Sequence, residues 1–308
     1  MLRGRATGDI RPNCDDTGAV SPSLEYRARP TVTDPIVICA FAGWNDGGEG
    51  ATLAVRRLRE QWGARRFASI DPEEFYDFQV HRPNVRLIDG ETRRIDWPRN
   101  DFWWARVGGR DVVLFSGLEP NVRWRTYCEQ ILQVCADLGA SLLVTLGAFL
   151  ADVPHTTPAP ATASSSDPAW SGRTDIVAAR YEGPTGIVGI LNDLAVRAGL
   201  PAVSVWGASP HYLPQTTNPK VALALMERVR DLLEIEVDTG EVELAARGWE
   251  RQVTEAIDED GNLGDYVQRL EEATVEGMDP DLADVPSGED LAAELEKYLR
   301  EHGGPSDD

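Results

Sequence analysis

The chain has 308 residues, 42% of them apolar, with nine Trp, which suits one dominant domain with appendages. It holds no run of eighteen or more apolar residues and its first residues lack the apolar stretch of a secretory signal, so a cytoplasmic protein without a membrane span is expected. The net charge of −21 is lopsided: residues 1–230 carry 26 acidic against 25 basic side chains and residues 231–308 carry 25 against 5, a pattern without the clustered cations that nucleic-acid binding requires.

In chain order, residues 1–29 show almost no apolar periodicity and read as a disordered leader. A core domain over 30–240 opens with Ile36–Ala42, a continuous apolar run expected to be a strand covered on both faces. The Gly-rich turn Gly43–Gly48 and a helix over Glu49–Trp62 follow. Val85–Ile88 and Arg93–Ile95 around Asp89-Gly90 read as a hairpin, and Phe102–Val107 as a further strand. Strand Asp111–Ser116, helix Val122–Leu138 and strand Leu142–Leu146 repeat the first pattern. Residues 153–173 form a long loop rich in Pro, Ser, Thr and Ala, expected to be functional or disordered. A helix from Gly186 to Ala198, a strand over Ala202–Trp206 and a helix from Pro219 to Glu234 complete the core. Residues 241–308 form an acidic extension with three apolar stripes at helical spacing, led by Val242 and Trp249, by Leu263 and Val267, and by Leu291 and Leu295, each narrow enough to need cover from another surface. The fold class is therefore α/β, a mixed, mostly parallel sheet with helices on both faces plus a helical tail.

Ligands of open α/β sheets bind beyond the carboxyl ends of the strands, and the loops there hold Asn45, Asp46, Gly47, Gly48, Glu119, Arg123, Arg125, His155, Glu182, His211 and Tyr212. Gly47-Gly48 before a helix could present amides to an anion, but no phosphate-loop pattern occurs and Asp46 would repel one, so a tight turn with Asn or Asp capping is the reading taken. Arg123 and Arg125 at a helix start need a carboxylate or anion, and Glu119 is near enough in sequence to serve as a structural partner. His155 and His211, with Glu182, are the candidates for acid/base work, yet no nucleophile elbow or zinc motif accompanies them. Cys14, Cys39, Cys128 and Cys135 include no Cys-x-x-Cys pair and read as buried thiols, so neither a metal nor a cofactor is implied. The rings of Trp97, Phe102, Trp103 and Trp104 read as core or as an oligomer interface.

The segments Phe41–Gly48, Asp71–Phe78, Gly117–Pro120, Leu146–Ala148, Asp152–Thr156, Tyr181–Gly186, Pro210–Tyr212 and Asn218–Lys220, in this order, resemble the proteasome assembly chaperone 2 family in its actinobacterial branch, from about Pro35 to Glu234. The resemblance implies a phosphorylase/hydrolase-like α/β fold, self-association with a trimer favoured, and a chaperone-like role toward a protein partner, proteasome-related by analogy. The chain ends Gly304-Pro305-Ser306-Asp307-Asp308 rather than in the hydrophobic-Tyr-any residue pattern of docking relatives, which argues against insertion of the terminus into a proteasome pocket. The label of ATP-grasp ligase given to some archaeal relatives finds no phosphate loop or set of metal carboxylates here.

Two readings of function follow. One is a non-catalytic assembly or scaffold protein that self-associates and binds a protein partner, with no nucleic acid and no membrane involved. The alternative is an enzyme or small-molecule binder of the nucleoside phosphorylase or hydrolase type, working in a crevice at the strand ends. The first is taken forward, since a shared fold does not confer phosphorolysis.

Overall fold

The computed structural model describes residues 23–170, 173, 175–258 and 261–275. In chain order the elements are β1 (Leu24–Tyr26), β2 (Ile36–Ala42), α1 (Gly50–Gln61), β3 (Arg65–Ile70), β4 (Asn84–Ile88), β5 (Thr92–Asp96), β6 (Asn100–Val107), β7 (Arg110–Leu118), α2 (Trp124–Leu138), β8 (Leu142–Ala151), β9 (Ala161–Ser165), β10 (Val177–Ala178), α3 (Ile187–Arg197), β11 (Ala202–Pro210), α4 (Pro219–Leu233), α5 (Gly240–Asp258) and α6 (Gly261–Val275).

Nine strands form one mixed sheet in the order β1-β3-β6-β7-β2-β8-β11-β9-β10, and β4 pairs only with β5. The parallel part is its centre, β7-β2-β8-β11; β6, β3 and β1 on one flank and β9 on the other join antiparallel. The continuous apolar run of β2 is explained by this position. Ile36, Ile38 and Ala40 pack toward α1 and α4, while Val37, Cys39 and Phe41 pack toward α2 and α3, so both faces of the strand are buried. Beside it, Ile38 registers between Leu114 of β7 and Val144 of β8.

The apolar stripes of the tail find their cover within the chain. Val242 joins the core beneath α4, and Trp249, Val253, Ile257 and Val267 of α5 and α6 close over Tyr212 and Leu213. The third stripe, around Leu291 and Leu295, lies outside the described residues.

Two expectations need correction, and one long strand went unread. The leader drawn to residue 29 is too long, because Leu24–Tyr26 pairs antiparallel with β3 at the sheet edge; residues 1–22 lie outside the described residues. Strand β3 escapes a periodicity search because a register shift between Arg66 and Ala68 breaks the two-residue alternation. The long loop contains β9, whose sequence ATASS offers only small side chains and low strand propensity; its place comes from pairing with β11 and from Ser165 Oγ donating to the Ala202 carbonyl at 2.7 Å.

Candidate functional site at the carboxyl rim of the sheet

The four parallel strands end at Ala42, Leu118, Ala151 and Pro210, so the loops after them share one rim. The antiparallel flank brings the end of β3 and the start of β6 to the same rim, and with them the β4–β5 hairpin.

Residues 43–48 form a tight turn stitched to β8, with Ala148 N donating to the Asn45 carbonyl at 2.8 Å. Gly48 sits at φ +61, and a Cβ there would come within 2.8 Å of Ser209 Oγ. Asp46 is buried and caps α1: its carboxylate accepts from Ala51 N at 2.7 Å and from the Thr52 hydroxyl at 2.5 Å. Burial pushes its carboxyl up to about 6, and the hydrogen bonds from Thr52 and Ala51 offset only part of that. Buried Asn45 donates to Glu119 Oε1 at 2.7 Å, and the same oxygen accepts the amide of Ile187, the first residue of α3, at 2.9 Å. Asn218 caps α4 by accepting from Lys220 N at 3.0 Å. At three helix starts of the rim, natural seats for a phosphate or carboxylate, amides are thus already taken by this chain's own side chains, whereas α2 begins at Arg123 without a side-chain cap.

The second group lies where α5 and α6 cross the ends of β8 and β11. The Tyr212 hydroxyl accepts from the His155 backbone N–H at 2.8 Å, so its own proton is available to His155 Nδ1 at 2.9 Å. Nε2 then carries the ring proton and donates to Thr254 Oγ1 at 3.1 Å, which donates to the Glu250 carbonyl at 2.9 Å. Burial, and next the nearby Lys220, hold the imidazole below its usual range, as a neutral ring serving both partners requires. Lys220 Nζ donates to the His155 carbonyl and to Glu250 Oε2, each at 2.5 Å. His211 Nδ1 lies 2.9 Å from Asp152 Oδ1, which also accepts from the Tyr266 hydroxyl at 3.1 Å. His155, His211 and Tyr212 are therefore gathered, with His155 buried beneath the tail helices and His211 exposed beside Tyr266.

The remaining candidates stay apart from these groups. Arg123 pairs with Glu74 at 2.5 Å and stacks over Phe75, not with Glu119 as expected, because Glu119 is committed to Asn45 and α3. Arg125 and Glu182 are exposed. Two clefts lie elsewhere, one of about 170 Å³ between α1 and the sheet at Arg56, Arg59 and Trp103, the other of about 260 Å³ between β3 and β5 at Arg66, Ile95 and Asp101. None of the candidate residues lines either.

Sequence reasoning gave Lys220 no role beyond its place in the Asn218–Lys220 segment and passed over Glu250, Thr254 and Tyr266. One signal was present: Lys220 and Lys297 are the only lysines in the chain, and an arginine-rich sequence that places a lysine on a buried helix start needs a compact ammonium there.

The PAC2 family model matches residues 40–257 of the chain. A PAC2 family protein from Streptomyces avermitilis is 45% identical with a TM-score of 0.71, covering 76% of this chain and all of that one. A Mycobacterium tuberculosis structure described as a proteasome-assembly chaperone homologue is likewise 45% identical, with a TM-score of 0.69 over 75% of this chain and 99% of its own. An uncharacterized protein of Methanocaldococcus jannaschii is 24% identical over 250 residues, 79% of this chain and 87% of that protein. With a motif order, a sheet and a family match that coincide over the same body, the chain belongs to the PAC2 family.

Proposed function

We propose that the protein is a non-catalytic, chaperone-like binding protein that self-associates, with a trimer favoured, and engages a protein partner through surfaces rather than a small molecule through a pocket. The observation that carries this reading is the capping at three helix starts of the rim, where Asp46, Glu119 and Asn218 take amides of α1, α3 and α4 that an anionic substrate could otherwise use. Tyr212 and Thr254 likewise engage both nitrogens of buried His155, which gives that ring a structural role between the rim and α5. The description of the Mycobacterium relative as a proteasome-assembly chaperone homologue supports a proteasomal subunit as the partner.

The test is sedimentation velocity of the full chain, alone and with purified proteasome α-subunits from the same organism. Self-association together with a faster-sedimenting mixed species is the expected result. A monomer that leaves the α-subunits unshifted, combined with a several-degree rise in melting temperature on adding a nucleoside or phosphate, would reverse the reading in favour of the small-molecule alternative.

A further inference from the structure

The cleft of about 260 Å³ between β3 and β5 has two unlike walls. One is a strand face on which Glu25, Ser69 and Asp101 stand in register across β1, β3 and β6, with Arg66 beside them on β3 and Arg27 two residues after Glu25. The other is the end of the β4–β5 hairpin, where Ile95 and Trp97 are exposed and Phe78 holds the Trp97 ring edge-on at 4.9 Å between centroids. A charged wall thus faces an apolar one.

The cleft is lined by four arginines (27, 66, 94 and 99) and four acids (25, 71, 96 and 101), and most of these cancel within the chain. Arg66 lies 2.5 Å and Arg99 3.4 Å from Asp101, Arg94 lies 3.2 Å from Asp96, and Asp71 accepts from Glu73 N at 2.8 Å as the cap of the turn that follows it. One charge of each sign remains. Glu25 and Arg27 are exposed and make no ion pair or side-chain hydrogen bond among the described residues, and Arg66 keeps a buried Nε without an acceptor. Two residues along one strand face is about 7 Å, so a single small molecule can touch both free charges.

We infer that this cleft binds a free α-amino acid with a large apolar side chain, its ammonium on Glu25, its carboxylate on Arg27 beside Arg66, and its side chain against Ile95 and Trp97. A bare anion would meet Glu25 and a bare cation Arg27, whereas a zwitterion is matched at both ends. A buried donor without an acceptor is uncommon in a folded protein, and a carboxylate beside Arg27 supplies one for Arg66. The volume is below the roughly 300–1,000 Å³ of sites for larger ligands, which suits a molecule of this size. The capped helix starts of the rim lie apart from this flank, so the inference goes beyond the protein-binding function and holds or fails without it.

The test is isothermal titration of the full-length protein with L-phenylalanine, 3-phenylpropionate, which lacks the ammonium, and phenethylamine, which lacks the carboxylate. Phenylalanine is expected to bind, and each analogue at least about 10-fold more weakly, the loss that goes with one charged hydrogen bond. Glu25→Gln and Arg27→Gln, with circular dichroism to establish folding, assign the ends: Arg27→Gln should remove most of the preference over phenethylamine, and Glu25→Gln most of that over 3-phenylpropionate. No binding of phenylalanine up to about 10 mM, or an analogue that binds as tightly, overturns the inference on the wild-type protein alone. Preferences that persist unchanged in both folded variants put the ligand elsewhere and overturn it as well.

Discussion

The Asn45 side-chain amide and the Glu119 carboxylate meet at 2.7 Å across 74 positions of sequence, and the same carboxylate oxygen receives the first amide of α3. One acidic side chain thereby fastens the turn after β2, the end of β7 and the start of a helix on the opposite layer. Replacing Glu119 by Ala removes a helix cap and strands the Asn45 donor, for a loss of about 2–4 kcal/mol in urea unfolding. Glu119→Gln, which keeps one acceptor oxygen, should lose less than half of that. A loss below about 0.5 kcal/mol for the Ala variant would deny Glu119 its capping role.

The raised carboxyl of Asp46 gives a pH dependence of defined sign. Its folded-state value of about 6 lies above the ordinary 3.8, so the folded state holds the proton more tightly and stability falls as pH rises between those values. The full swing is about 3 kcal/mol at most. Asp46→Asn keeps an oxygen for Ala51 N and cannot ionise. The stability of this variant relative to wild type should therefore grow between pH 4 and pH 7; unfolding curves showing a pH-independent difference would mean that Asp46 is not held up.

His155 acts in the opposite direction. Its folded-state value lies below 6.5, so its contribution is complete above pH 6.5 and is lost as pH falls through the depressed value. The grip on α5 should loosen in acid, visible as faster amide exchange over residues 240–258. Tyr212→Phe removes the hydroxyl that serves both the backbone N–H and Nδ1 of His155, at a cost of about 1–3 kcal/mol, and should give the same faster exchange at neutral pH. Unchanged protection of α5 in that variant would show that the tail is held by its apolar stripe alone.

Gly50 to Ala separates propensity from packing. A glycine in a helix costs about 1 kcal/mol relative to alanine, which by itself predicts a more stable protein. A Cβ at Gly50 would lie 2.4 Å from Val221 Cγ1 and 2.8 Å from Val221 Cβ, where α1 crosses α4. Overpacking of this kind costs about 1–3 kcal/mol, so Gly50→Ala is expected to lower the unfolding midpoint. A raised midpoint would mean that the two helices can move apart freely.

Much of the fold is legible in the residues themselves. The apolar run Ile36–Ala42 states a strand buried on both faces, Asp89-Gly90 states a hairpin, and the order of the loop motifs carries the family resemblance. These are signals whose causes lie within a few neighbouring residues. The strands that went unread, β1, β3, β9 and β10, are short, interrupted by a register shift, or built of small side chains, and they exist because neighbouring strands offered them backbone partners on the two flanks of the sheet.

The same divide runs through the rim. The sequence by itself determined which side chains stand in the loops after the parallel strands, because the alternation of strand and helix fixes which turns share an edge. Only the tertiary structure decided what those side chains do. Glu119 serves α3 and not Arg123, Arg123 finds Glu74, and His155 is shut between Tyr212 and Thr254, with the partners of Glu119 and Arg123 lying tens of residues away and Thr254 99 residues from His155. The physical reason is that a cap or an ion pair is chosen by distance in space and by burial, and neither quantity exists until the sheet has brought its loops together.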